Sequence, residues 1–420
     1  MKPIIKAFIL MLILILFSQC ENEPSPYLKI PDDNFLASLI ELGVDTDEDG
    51  KISKEEASAI TYLDISGDSI SDLTGIEKFI NLETLICHDN QLISVDLSNN
   101  IALTELNFNA NKLSLLDVSN NTALERIYCN NNRLRTLDVS NNIDLTALMC
   151  SVNLLTILDV SNNAFLETIE CYENRFKTLD VSGCTALGRL VCYHNELNSL
   201  DVSGNTALYY LDCSTNKFTS LDVSNNHALQ ELRCSNNQLT SLDISSNTNL
   251  EGLSCYSNQL ILLDVSSNPV LVSLGCGVNP LGSLDVSTNT ALTNLDCRFC
   301  DMTALDISNN SALLGLNCEY NQLTSLDVSN NTALTSLNCR ANQLTTLNVS
   351  NNTALHELVC SSNQLIQLNI SINDELMLLW IEDMPTLYKV CVWILPFPPP
   401  GFQLKVNGSP NAYFTTDCSK

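Results

Sequence analysis

The sequence predicts a β-rich solenoid: short parallel strands line both sides of a gently curved rod, closed by a small helical cap at one end and a second cap at the other. Three observations lead there. Leu recurs every 21 residues, from Leu82, Leu103 and Leu124 through to Leu376, without a gap. Within each period, apolar and polar residues alternate over two separate three-residue stretches, which is the pattern of a strand with one buried face. The period breaks at both ends of the array, and stacked coils need such caps because they would otherwise expose core and strand edges.

Taken in order, the chain opens with Met1-Lys2-Pro3-Ile4-Ile5-Lys6, an apolar run from Ala7 to Phe17, and Ser18-Gln19-Cys20. That run is too short to span a bilayer as a helix but suits a signal peptide over 1–19. Phe17-Ser18-Gln19-Cys20 resembles the lipobox of bacterial lipoproteins, which implies acylation of Cys20 and a lipid-anchored protein at the outer membrane or cell surface. An ordinary cleaved leader is the alternative. Residues 20–31, with three Pro, read as a polar tether.

Residues 32–62 predict a helical cap. Phe35, Leu36, Leu39 and Ile40 mark an amphipathic helix. Asp45-Thr46-Asp47-Glu48-Asp49-Gly50-Lys51-Ile52-Ser53-Lys54-Glu55-Glu56 follows. It resembles the EF-hand loop at every liganding position, which implies calcium held by Asp45, Asp47, Asp49, the Lys51 carbonyl, Ser53 and Glu56. Ser53 to Glu56 also reads as a capping box for a second helix. With a single hand present, calcium is expected to stiffen the cap.

The solenoid is expected over 63–381. A well-preserved unit begins Leu334-Thr335-Ser336-Leu337-Asn338-Cys339-Arg340-Ala341-Asn342-Gln343-Leu344. It carries L-x-x-L-x-C-x-x-N-x-L and resembles the leucine-rich repeat. The second half of each unit, L-x-x-L-x-V-x-x-N, nearly repeats the first, so the array is similar to bacterial leucine-rich repeats with a nested short period. Leu63 to Ile76 resembles the opening repeat of internalin-like proteins. Little room is left for a helix, so both sides should advance by about 4.8 Å per coil, giving a rod of roughly 70 Å.

Four columns follow from the period. Two hold Asn, one from Asn90 to Asn363 with Cys300 standing in, the other from Asn100 to Asn373 with Cys184 standing in. Inward Asn side chains can satisfy backbone groups that tight turns bury. A third holds Cys87 and then Cys129 to Cys360, with Phe108 filling the gap. A site that accepts Cys or Phe is apolar, and parallel Cβ vectors about 4.8 Å apart are too widely spaced for disulfides, so buried free thiols are expected. The fourth is acidic, from Asp96 to Asp327. Its carboxylates need hydrogen bonds or cations to offset their repulsion.

The formal net charge is −28, from 48 acidic and 20 basic residues. Loss of Lys2 and Lys6 with the leader leaves 18 basic residues and −30. Nucleic acid is excluded as a partner, because such a surface repels a polyphosphate backbone.

The C-terminal cap is expected over 382–420, with Cys391 and Cys418 bracketing a Pro-rich stretch and predicted to form a disulfide. Outward positions near the column Cys vary and are rich in Tyr and Arg: Arg126, Tyr128, Tyr172, Arg189, Tyr193, His194, Tyr210, Arg233 and Tyr256. These types dominate binding hot spots. The expected function is therefore recognition of a protein or glycan ligand by a monomeric rod, with no catalytic residues. A polysaccharide-active enzyme and a mechanical cation-binding rod are the alternatives.

Overall fold

The computed structural model describes residues 25–418. The leader and the lipobox Cys20 lie outside the described residues.

The first helix, Asp33–Glu41, starts where Asp32 Oδ1 accepts the backbone N–H groups of Asn34 and Phe35. The other Asp32 oxygen accepts Ser71 N–H at 2.9 Å and Asp72 N–H at 3.1 Å, so one carboxylate caps the helix and ties it to the first repeat. Ser53 and Glu56 form a capping box on the second helix, Lys54–Ala59. The tether, read as 20–31, ends earlier than expected. Tyr27 pairs with Ser53 in an antiparallel bridge, Leu28 N–H donates to Ile52 O at 2.8 Å, and Leu28 and Ile30 pack on the core. Their apolar side chains gain more from burial than a solvated tether would.

Strand β1 (Tyr62–Asp64) opens the main sheet, and fourteen strands recur at 21-residue intervals from β2 (Thr84–Ile86) to β15 (Glu357–Val359). All pair in parallel, with Leu85, Leu106, Ile127 and Leu148 in one register row. Each strand from β1 to β15 buries its central residue. The Leu, Val and Cys columns behind them form one continuous buried core. Burial of each Leu contributes about 1.5 to 3 kcal/mol, so the ladder of core residues favours stacking over any isolated coil.

The L-D-V side is extended but stitched differently. Among the described residues its backbone ladder is limited to the bridges Asp159–Asp180 and Asn348–Asn369 and to β16 (Gln367–Asn369). Its backbone acceptors are taken by turns and by Asn: Val118 O accepts both Asn121 N–H at 3.0 Å and Asn142 Nδ2 at 3.1 Å. Side-chain amides replace the ladder there.

The parallel solenoid also runs past residue 381, where the cap was expected to begin. β17 (Leu378–Trp380) pairs with β19 (Gln403–Lys405) in the 17-stranded main sheet. β16, β18 (Lys389–Cys391) and β20 (Tyr413–Thr415) form a second parallel sheet. The lengthened loops between these strands break the 21-residue spacing, and so the pairing left no periodic trace in the sequence.

Candidate functional site

Two faces of the rod differ in kind. On the L-D-V side each Asp repeats one arrangement: Asp117 Oδ1 accepts Ser119 N–H at 3.0 Å, and Asp201 Oδ1 accepts Ser203 N–H at 2.9 Å. Bonds from the serine hydroxyl and amide hold these carboxyls below the usual carboxylate range. Hydrogen bonding, one of the two ways of offsetting their repulsion, is therefore in place.

The strand face varies from coil to coil. Arg126 and Tyr128 lie on strand β4 (Arg126–Tyr128), and Arg126 Nε meets Glu105 Oε2 at 2.9 Å. Tyr172 and Tyr193, each just past a column Cys, stack with centroids 4.5 Å apart and planes 7° apart. Beside them Arg189 lies 4.0 Å over the Tyr210 ring, and Arg233 reaches the same ring at 5.7 Å. Glu170 holds Arg189 at 3.2 Å and Glu231 holds Arg233 at 2.9 Å. Burial and nearby Tyr172, Glu173, Asp212 and Glu170 push the Tyr193 hydroxyl up to about 12. Five expected residues thus meet in one patch: Tyr172, Arg189, Tyr193, Tyr210 and Arg233.

The others stand apart. His194 is exposed at a left-handed turn position, φ 55°. Tyr256 lies two coils beyond Tyr210 and carries Arg298 at 4.9 Å from its ring. That reach depends on Gly277, where a Cβ would sit 3.0 Å from Arg298 Cγ and 3.1 Å from Tyr256.

Sequence reasoning missed the glutamates, although Glu105 and Arg126 are 21 residues apart and so share a column. It also missed a trough of about 400 Å³ on the same face, lined by Ser273, Gly275, Asn294, Asp296, Gly315 and Asn317 among others. Small residues in register were the available signal. Burial raises the Asp296 carboxyl above its ordinary value, against an opposing Arg298.

In the N-terminal cap, ligand atoms of Asp45, Asp47 and Asp49 lie within 4.8 Å of one another. Asp45 Oδ2 also accepts Gly50 N–H at 2.8 Å, with Gly50 at φ 79° where a side chain would be strained. Glu56 is outside this cluster. Its Oε1 accepts Thr46 N–H at 2.7 Å, and its Oε2 accepts the Ser53 N–H and hydroxyl at 2.8 Å each. These bonds, led by the Ser53 amide, lower its carboxyl to about 2. Ser53 is likewise committed to the capping box, and Lys51 N–H donates to Asp49 at 2.9 Å. Three close carboxylates fit a hard divalent cation. Glu56 would have to leave its cap to join them.

The column thiols are free and buried. Burial drives Cys87 and Cys150 up to about 12, so they are neutral thiols acting as small apolar groups. Cys391 and Cys418 are disulfide-bonded with Cα atoms 5.6 Å apart.

No family model matches the sequence. Internalin J of Listeria monocytogenes is 43% identical over 70 residues, which is 17% of this chain and 8% of that protein's length. Among solved structures, the functional domain of InlJ from Listeria monocytogenes, which includes a cysteine ladder, is 37% identical. It aligns over 86% of this chain and 75% of that domain at a TM-score of 0.72. A leucine-rich-repeat protein of Leptospira interrogans shares the fold at a TM-score of 0.72 and 21% identity, over 86% of this chain and 97% of that one. With its 21-residue coils, its column of buried cysteines and this identity to the InlJ domain, the chain belongs to the internalin-like family of bacterial leucine-rich-repeat proteins.

Proposed function

We propose that this chain is an exported binding protein that recognises a protein or glycan ligand through the strand face, centred on Tyr172, Arg189, Tyr193, Tyr210 and Arg233. The observation that supports this reading most is the contrast between the faces. The Asp–Ser arrangement repeats nearly unchanged, whereas the strand face changes with each coil and concentrates stacked Tyr and Arg. Preordered aromatic and guanidinium groups add contact area and directed hydrogen bonds at modest entropy cost. Family membership supports the same role. Attachment to the envelope is assigned to acylation at Cys20, on the resemblance of Phe17-Ser18-Gln19-Cys20 to a lipobox.

The cap is proposed to hold calcium through Asp45, Asp47, Asp49, the Lys51 carbonyl and Ser53, with Glu56 exchanging its cap bonds for the metal. The ion would serve as a local countercharge that stiffens the entry to the solenoid.

The ligand face is tested by probing protein and glycan arrays with the purified rod, then with Tyr172, Tyr193 and Tyr210 together replaced by Ser. The variant should fold, because none of the three is fully buried, and its binding should fall by about tenfold or more. Undiminished binding, lost instead on changing the Asp column, would place recognition on the other face.

A further inference from the structure

The trough on the strand face runs through the coils of β11 (Ser273–Gly275) to β15 (Glu357–Val359) and encloses about 400 Å³, at the low end of small-molecule sites. Glycine gives it depth. Outward strand positions hold Gly at 252, 275 and 315, whereas from β1 to β9 the same positions hold none. None of these three has a left-handed backbone, so no turn requires them. Glycine weakens a strand, and there it marks a place where another group comes close to the backbone. At Gly252 that group is the Glu231 carboxylate, with which a Cβ would collide, and at Gly315 it is Asn294 Oδ1, 3.0 Å from where a Cβ would sit. At Gly275 a Cβ would meet nothing nearer than Ser254 Oγ at 3.6 Å, so the space over this residue stays open.

The lining is polar, and its hydrogen-bonding capacity is only partly used. Asn317 Oδ1 accepts Glu319 N–H at 3.2 Å and Asn338 Oδ1 accepts Arg340 N–H at 3.1 Å. Both amides are thereby oriented, and neither Nδ2 has a protein acceptor among the described residues. Asn294 is turned the other way: its Nδ2 donates to Thr293 Oγ1 at 3.0 Å, and its Oδ1 stands over Gly315. Asp296, the register neighbour of Asn317, and Glu357 supply carboxylate oxygens to the lining, which holds no Lys or Arg. Past the column cysteines of the same coils, the exposed Phe299 and Tyr320 rings stack with centroids 4.3 Å apart.

We infer that the trough is a binding subsite for a neutral oligosaccharide, whose hydroxyls accept from Asn317 and Asn338 Nδ2 and donate to Asn294 and Asp296. Oriented donors beside acceptors match a chain of hydroxyls, each of which does both. An anion would face Asp296 and Glu357, and a cation would leave the two Nδ2 donors unmatched. The stacked rings add a flat apolar surface suited to the C–H face of a sugar. This subsite rests on the reading of the strand face as the recognition surface, and is separate from the Tyr172 cluster.

The test titrates the purified rod by ligand-detected NMR with neutral tetrasaccharides (cellotetraose, chitotetraose and mannotetraose), with tetragalacturonate and with tetralysine. At least one neutral probe should bind, and the charged probes should bind about tenfold more weakly or not at all. Gly275→Tyr fills the trough and should keep the wild-type thermal midpoint, because Tyr128 holds the same register column. It should weaken the neutral probe by about tenfold or more, whereas Ala147→Tyr, which adds the same ring to β5 outside the trough, should not. Asn317→Asp with Asn338→Asp keeps the bonds from Glu319 and Arg340 N–H, as Asp212 does from Ser214 N–H at 3.1 Å, and removes both donors. That variant should lose the neutral probe to the same extent. Failure of every neutral probe to bind, tetralysine as the tighter ligand, or full binding by Gly275→Tyr would each overturn the subsite. Binding lost on replacing Tyr172, Tyr193 and Tyr210 by Ser but kept in Gly275→Tyr would also overturn it, and would leave recognition at the Tyr172 cluster standing.

Discussion

Asn153 Oδ1 accepts the backbone N–H of Leu134 at 3.0 Å, while its Nδ2 donates to Cys129 O in the preceding coil at 2.9 Å. One side chain therefore satisfies two buried groups of the preceding coil and, through Nδ2 to Cys150 O at 3.1 Å, one of its own. Asn142, in the other Asn column, only donates, to Val118 O at 3.1 Å and Asn121 O at 2.8 Å, and its Oδ1 meets no donor. Asn153→Ala should cost about 1 to 3 kcal/mol, since it strands the buried Leu134 N–H, and Asn142→Ala should cost less, since Val118 O and Asn121 O keep backbone donors. Asn142→Cys should be milder still, because Cys184 already fills that column with a donor. Urea midpoints of the three variants measure the order.

Each coil also holds a left-handed non-glycine residue just before the first Asn, and Val152 occupies it at φ 55°. A β-branched side chain is disfavoured there, whereas Asn tolerates it, as Asn131 and Asn236 do in the same column at φ 56° and 54°. Val152→Asn should raise stability by about 1 kcal/mol. A lower thermal midpoint would show that the turn relieves the strain in another way.

Acid should loosen the N-terminal cap first. Glu56 has a folded value of about 2 against 4.5 ordinarily, so its contribution is complete above 4.5 and is lost as pH falls towards 2. The Asp column has the same sign, its carboxyls lying below their ordinary 3.8, and contributes to the same acid limb at lower pH. Hydrogen exchange between pH 5 and 2 should show amides of Lys54–Ala59 losing protection before those of the strands.

Calorimetry should give one calcium site. Asp47→Asn with Asp49→Asn should abolish the heat, and Glu56→Gln should weaken binding by about tenfold or more through loss of bidentate ligation. An isotherm unchanged by Glu56→Gln would leave Glu56 as a cap only.

Removing the Cys391–Cys418 disulfide, which closes 27 residues, should cost about 3.5 kcal/mol by chain entropy. The loss should be confined to the terminal coils, because stability in a solenoid is set by nearest neighbours. Limited proteolysis of Cys418→Ser should trim the C-terminal strands and leave the array intact.

The sequence by itself determined the coil. A strict 21-residue recurrence of Leu, Cys and Asn leaves one arrangement in which the recurring Leu and Cys face inward, and Cys87 to Cys360 were legible as core for that reason. Tertiary structure decided what period cannot encode. The solenoid continues through Thr415 although its spacing changes, because pairing needs register, not equal loop lengths. Glu56 serves its helix cap because two backbone amides lie within reach of one carboxylate. Arg189, Tyr210 and Arg233 converge, while Arg126 keeps to Glu105, because stacking sets which outward columns touch. Cys184 and Cys300 read alike in the sequence as substitutes for Asn. Only the packed coils show that each thiol reaches a backbone carbonyl of the preceding coil, Cys184 that of Val160 at 3.5 Å and Cys300 that of Cys276 at 3.6 Å.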